Sequence, residues 1–353
     1  VADLVPAGRG AIARALAEHA IARIEATIER IDDSDGHCSG LLEQAREIHV
    51  AACRAAPPEP LGLAHALFTH EVEGEWGTFD GAAQAYADVL GEAGLAEYRR
   101  LAMAAWAKLP PMQGPPRADA AMSCEARRLM TILDGFAARD GDVEARIALR
   151  THDLTAPWHY LELARFCLEH GRPAEALRHA EEGLWLFEDA PPDERLMDFA
   201  VERHLATGQT EAALAVLWRA FERRPGMALY QRLRQLGGEA ARDRAIAVLR
   251  ERLAKAAPGT PWSSPTDLLV QVLTAESLFA EAWKTVHTHG ADEHAVLALA
   301  ERSEARHPSE ALAVYAARIE KLASTGGNAN YQEACRLIGR MAPWREAAEQ
   351  SAY

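Results

Sequence analysis

The sequence predicts an all-α protein, a right-handed α-solenoid of irregular helical hairpins, and three observations carry that reading. A short phrase recurs at turns: Gly171-Arg172-Pro173-Ala174-Glu175-Ala176-Leu177 returns as Gly208-Gln209-Thr210-Glu211-Ala212-Ala213-Leu214. Looser echoes stand at Ala280-Glu281-Ala282-Trp283 and Pro308-Ser309-Glu310-Ala311-Leu312. Repetition with turn residues at fixed offsets is the mark of stacked hairpins, each burying its apolar face on its neighbours. Second, Ala and Leu dominate a 49% hydrophobic content while aromatics reach only 7%, a balance that favours close-packed helices. Third, no alternating strand pattern is legible.

The elements follow in order. Ile12, Leu16, Ile24, Ile28 and Ile31 keep a helical period from about Gly10 to Ile31, and Asp32-Asp33-Ser34-Asp35-Gly36 ends it. Ser39 suits the N-cap of a second helix carrying Leu42, Ala45, Ile48 and Ala52, which Pro57-Pro58 stops. A third runs from Pro60 towards Glu73. Glu75-Trp76-Gly77-Thr78-Phe79-Asp80 reads as a turn packing two aromatics before a helix through Tyr86 and Leu90, with Gly91 its stop. Leu95 to Leu109 continues with Leu101, Ala105 and Trp106 on related faces. Pro110-Pro111-Met112-Gln113-Gly114-Pro115-Pro116 cannot be helical, so it divides an N-terminal helical subdomain, 1–113, from a repeat region, 117–353.

Beyond that elbow, Cys124 to Ala138 pairs with Val143 to His152, and then the regular hairpins begin. The unit from Pro157 to Phe187 fits a tetratricopeptide-like repeat. With Gly171 at its turn, Tyr160, Leu163, Ala164 and Cys167 face inward from helix A, and Ala176, Ala180 and Gly183 from helix B. The small residues let two backbones approach, and a larger side chain there costs roughly 1–3 kcal/mol by overpacking. The next unit, with Gly208 at its turn, places Ala200, Val201, Ala213, Leu217 and Ala220 likewise, and Pro225 closes it. Met227 to Ala256, Pro265 to His289 and Asp292 to Ala323 keep the rhythm at uneven lengths, and Asn330 to Met341 begins another helix.

Net charge is −14, which opposes a chain-wide grip on phosphates. One segment departs from it: Arg219 to Lys255 holds ten Lys/Arg against four acids, a local +6. Within it the helix from Glu239 to Ala256 is amphipathic, with Ala245, Ile246, Leu249 and Leu253 on one face. Nucleic-acid binding through Arg223, Arg224 and Arg232 is therefore the alternative functional class. Five cysteines, odd in number and far apart, read as reduced thiols of a cytoplasmic protein. No apolar run is long enough for a membrane span. Beginning on Val and stopping at Ala352-Tyr353 without an evident cap, the chain reads as a piece of something longer.

Ile28-Glu29-Arg30-Ile31-Asp32-Asp33-Ser34-Asp35-Gly36, together with Gly77-Thr78-Phe79-Asp80-Gly81 leading to Leu90-Gly91-Glu92-Ala93-Gly94-Leu95, goes beyond generic repeats. With Tyr160-Leu161-Glu162-Leu163-Ala164 and the Glu-Glu-Gly-Leu of 181–184, these passages resemble a large bacterial family of uncharacterised helical-repeat proteins. Some of its members carry an upstream zinc-chelating SWIM module. The resemblance spans roughly residues 10–345 and implies a fold without naming a reaction. The SWIM ligand set, paired Cys and a Cys-x-His, is missing from the sequence, since His37-Cys38 has the wrong order; such a module, if the parent protein has one, is expected before Val1.

Chemistry finds little purchase. Zinc needs three or four converging ligands, and neither His287, His289 and His294 nor His65 and His70 stack on one helix face. Asp32, Asp33 and Asp35 lack the spacing and terminal Glu of a calcium loop. Glu71, Glu73, Glu75 and Asp80 beside Trp76 suggest a shifted acid, but nothing in the spacing fixes two of them at a working distance. No cofactor, metal or enzymatic activity is expected. The expected function is a scaffold or adaptor that binds a protein or peptide through the concave helix-A surface. Trp158, Leu161 and Arg165 line it in the first regular unit, and Arg195, Asp198 and Glu202 in the second, a mixture of Trp, Arg and acids typical of binding hot spots.

Overall fold

The computed structural model describes residues 2–28, 37–114, 123–191, 193–255 and 265–347. The Asp32, Asp33 and Asp35 turn and Pro115-Pro116 of the elbow lie outside these residues. The chain falls into two compact units, 1–196 and 197–353. Each is an all-α solenoid-type stack of helical hairpins, as the sequence predicts.

The first unit runs through α1 (Gly10–Ile28), α2 (His37–Ala55), α3 (Pro60–Glu73), the single turn α4 (Ala82–Ala85) and α5 (Ala87–Trp106). After β1 (Met112–Gln113) come α6 (Cys124–Asp140), α7 (Val143–Arg150), β2 (Asp153–Leu154), α8 (Pro157–Glu169) and α9 (Pro173–Leu186). Helix α10 (Glu194–Ala206) leads into the second unit: α11 (Thr210–Arg223), α12 (Met227–Lys255), α13 (Pro265–Ala275), α14 (Phe279–His289), α15 (Glu293–Ser303), α16 (Pro308–Thr325) and α17 (Asn328–Ala347). The extended pair is two residues long and parallel, Met112 opposite Asp153 and Gln113 opposite Leu154. It ties the elbow to the start of α8, so the elbow lies inside the first compact unit, where α3 and α5 both pack on α6.

Helix starts obey local chemistry. Glu59 accepts from the N–H groups of Leu61 and Gly62, Ser123 from Ala126, Asp142 from Ala145 and Asp292 from Ala295, satisfying donors that a first turn leaves open. Gly91 (φ 59°, ψ −170°) and Gly238 (φ 60°, ψ −144°) break α5 and α12 in backbone conformations that a side chain opposes. Gly91 thus ends one helix and the sequence-predicted helix from Glu239 starts where expected.

The hairpin turns share one geometry. At Gly141, Gly171, Gly208 and Ser277 the backbone is left-handed, and the next N–H donates to the carbonyl five residues back. Those bonds are Asp142 to Ala137 at 2.8 Å, Arg172 to Cys167 at 2.9 Å, Gln209 to His204 at 2.8 Å and Leu278 to Leu273 at 2.8 Å. This six-to-one closure satisfies carbonyls at the helix end and fixes the angle at which the next helix leaves. Glycine fills three of the four positions because only glycine adopts that region freely.

The hairpin cores are built from small residues opposite large ones. Tyr160, Leu163, Ala164 and Cys167 of α8 are buried against Ala176, Ala180 and Gly183 of α9. A Cβ on Gly183 would lie 2.7 Å from both Cβ and Cγ of Tyr160, so the helices approach as closely as the missing side chain permits. In the second unit Ala200, Val201, Ala213 and Leu217 are buried as expected, while Ala220 is half-buried. The first unit also holds a polar core. His49 Nδ1 lies 2.7 Å from the Tyr86 hydroxyl and Nε2 3.2 Å from Glu18.

Candidate partner-binding surface on the A helices

Helix α8 is launched by a compact turn. The Asp153 carboxylate accepts from the Thr155 N–H at 3.1 Å and its hydroxyl at 2.6 Å, and Pro157 occupies the first helical turn, where a missing N–H costs nothing. From there α8 separates its faces sharply. Tyr160, Leu161, Leu163, Ala164, Phe166 and Cys167 are buried, whereas Trp158, Glu162, Arg165 and Glu169 are exposed. The exposed set recurs at i, i+4, i+7 and i+11, one continuous stripe.

Trp158 is 51% exposed, its ring meeting His159 edge to face with centroids 3.8 Å apart and an interplanar angle of 62°. His159 Nδ1 sits 3.2 Å from Asp153, at ion-pair distance without hydrogen-bond alignment. Burial lowers the His159 pKa and Asp153 opposes the shift. Arg165 pairs with Glu162 at 3.5 Å, an exposed contact worth little that leaves both groups available. Leu161 is a correction to the sequence reading. At 1% exposure it belongs to the core, because it lies 100° around the helix from Glu162, which takes the surface position instead.

On α10, Arg195 is exposed and contacts Asp193 at 3.4 Å. Asp198 and Glu202 follow at i+3 and i+7 of Arg195, Glu202 exposed and Asp198 ion-paired to Arg232. Hence Asp198 and Arg232 engage each other and neither stands open.

The basic segment changes character in three dimensions. Arg234 bonds Glu276 at 3.0 Å and Arg244 bonds Glu222 at 2.6 Å while lying 4.2 Å over the Trp218 ring. Arg242 meets Asp243 and Glu239, Lys255 meets Glu251, and Arg250 meets Glu281. Arg252 caps the carboxyl end of α11 through the carbonyls of Glu222 and Arg223. Asp198, Glu276 and Glu281 lie outside the window that a sequence count covers, so much of the apparent excess positive charge is neutralised. Arg223 and Arg224 are exposed at the end of α11.

The acids considered for catalysis separate. Glu71 is 3% exposed, and its carboxylate accepts from the Gly81 N–H at 2.8 Å, the Ala82 N–H at 3.3 Å and the Tyr98 hydroxyl. Burial raises its pKa, with those three donors opposing. With its oxygens so engaged, Glu71 organises the start of α4. Glu73, Glu75 and Asp80 are exposed. Among the described residues no group of three or more His, Cys, Asp or Glu is placed to hold a metal, and His287 stacks on Trp283. Cys38, Cys53 and Cys167 are buried, Cys124 and Cys335 exposed, and none is in a disulfide; burial pushes the Cys53 thiol up to about 11. No helix among the described residues is long and apolar enough to cross a membrane.

No curated protein matches the chain. A solved structure described as a "Circular tandem repeat protein with novel repeat topology and enhanced subunit contact surfaces" aligns over 99% of this chain and 76% of its own, at 14% identity and a TM-score of 0.12. That score is too low to carry argument to this chain. The family model described as "Family of unknown function (DUF6880)" matches residues 5–351, and the chain belongs to that family.

Proposed function

We propose that the protein is a non-catalytic scaffold of the cytoplasm that binds a protein or peptide partner through the exposed faces of its A helices, their concave side. The observation that carries this reading is the α8 stripe, in which Trp158 stands half out of the surface of a helix whose opposite face is buried. An indole left in water, flanked one and two turns on by Glu162 and Arg165, supplies an apolar anchor with polar neighbours that set register. Because α8 is locked by its core and by the Gly171 turn, binding demands little ordering of the helix. On α10, Arg195 and Glu202 are likewise exposed, and Asp198 is ion-paired to Arg232.

The test is affinity capture from the native host with wild type and with Trp158→Ala plus Arg165→Glu, both checked for unchanged helicity by circular dichroism. Loss of one or more specific proteins in the variant supports the reading; identical partner lists remove this surface. Capture of nucleic acid that weakens steeply with salt and is abolished by reversing Arg223, Arg224 and Arg232 would favour the alternative class.

A further inference from the structure

The loop of residues 74–81, between α3 and α4, is fastened on several sides and yet leaves its largest side chain in water. Glu71 of α3 accepts from the Gly81 N–H at 2.8 Å, and the Thr78 hydroxyl donates to Glu25 of α1 at 2.5 Å. Arg46 of α2 donates to the Asp80 carbonyl at 2.9 Å, and Arg128 of α6 to the Val72 carbonyl at 3.0 Å. Phe79 is buried and stacks on His70, ring centroids 5.2 Å apart. Trp76, three residues before Phe79, is 42% exposed. Side chains of α1, α2 and α3 therefore hold the loop, and Arg128 of α6 holds the end of α3 beside it; the indole contributes only part of its surface to the core. Such an anchor is already ordered before any partner arrives.

Two acids precede Trp76 closely in the chain, Glu73 by three residues and Glu75 by one. Glu73 and Glu75 are exposed and have no ion-pair partner among the described residues. The cations that reach the loop or the end of α3 are engaged there, Arg46 on the Asp80 carbonyl and Arg128 on the Val72 carbonyl and, at 3.9 Å, the Asp80 carboxylate. An aromatic face with unpaired carboxylates beside it attracts a cation and repels phosphate. We propose that the Trp76 loop is a docking site for an extended Lys/Arg-rich segment of a partner protein, one cation lying over the indole and its neighbours facing Glu73 and Glu75. The chain's net charge of −14 speeds the encounter with such a segment. This surface is independent of the α8 stripe.

The test uses a fluorescein-labelled peptide of alternating lysine and glycine, read by fluorescence polarisation at low salt against a glutamate–glycine peptide of equal length. Wild type is expected to bind the lysine peptide alone. Trp76→Ala is expected to weaken it about tenfold, Trp76→Phe to keep most of the affinity, and Glu73→Gln with Glu75→Gln to weaken it several-fold and flatten the salt dependence. The charge-matched pair Glu211→Gln with Glu320→Gln, both exposed, should bind as wild type. Unchanged affinity in Trp76→Ala, or equal weakening by the two glutamine pairs, overturns the proposal. So does a change in sedimentation of Trp76→Ala with no change in peptide binding, which would assign the loop to a second copy of the chain.

Discussion

Gly183 tests the packing principle of the hairpins with a single methyl group. A Cβ there would meet Tyr160 Cβ and Cγ at 2.7 Å and Leu196 Cδ2 at 3.0 Å, well inside the roughly 3.5–4.0 Å at which carbon atoms attract. Tyr160 and Leu196 are 2% and 0% exposed, so neither has free space into which to withdraw. Overpacking of this kind costs about 1–3 kcal/mol. Replacing a helical glycine by alanine also gains about 1 kcal/mol of propensity, so the net effect of Gly183→Ala should lie between about neutral and about 2 kcal/mol destabilising, and Gly183→Val should destabilise by more. Gly135 provides the matched control. It lies inside α6 with no atom within 4 Å of its would-be Cβ, and Gly135→Ala should therefore stabilise by about 0.5–1 kcal/mol. Urea unfolding followed by helical circular dichroism reads both, and the thermal midpoint should fall by up to about 8 °C for Gly183→Ala. If Gly183→Ala proves as stabilising as Gly135→Ala, the close approach of α8 and α9 is not what places glycine there.

Two further outcomes follow from the fold. Ser277, exposed and at φ 59°, stands where the other three matched turns use glycine, so Ser277→Gly should stabilise by about 1 kcal/mol and raise the thermal midpoint; a lower midpoint would mean that the turn is unstrained. Burial holds His49 below its ordinary 6.5, while Glu18 opposes. A histidine whose folded pKa is depressed contributes stability that is whole above about pH 6.5 and lost as pH falls through the folded value. His152, His159 and His179 are shifted the same way, while Glu71 is shifted upward and works in the opposite sense. Melting measured from about pH 8 to about pH 5 should therefore decline less steeply in His49→Gln than in wild type, and parallel curves would remove His49 from the cause.

Helices were legible where apolar period and turn residues agreed. Gly171 and Gly208 marked hairpin turns, Gly91 ended a helix, and the small residues at 176, 180 and 183 pointed inward. The turn at Ser277 carries the same left-handed geometry without glycine, and composition offers no sign of a strained residue. On α8 the helical period placed Trp158 and Arg165 on one stripe. Leu161 could not be assigned by residue type alone, since a leucine suits either a core or an anchor, and only its angle relative to Glu162 decides. The charge of the Arg219–Lys255 segment was misleading for a physical reason. Its partners Asp198, Glu276 and Glu281 are brought in by neighbouring helices, and a linear count sees no such pairing. The polar core of Glu71, Tyr98, His49 and Tyr86 was equally hidden, because hydrogen bonds spanning α2 to α5 leave no periodic trace.

The claim on which the account turns is that the outward stripe of α8 meets another protein. A photo-reactive phenylalanine analogue placed at Trp158, and separately at Arg165, in the native host tests it directly, with exposed Glu320 as the control position. Discrete crosslinked proteins from 158 and 165 and none from 320 are the expected result; silence at 158, or the same products from all three positions, contradicts it.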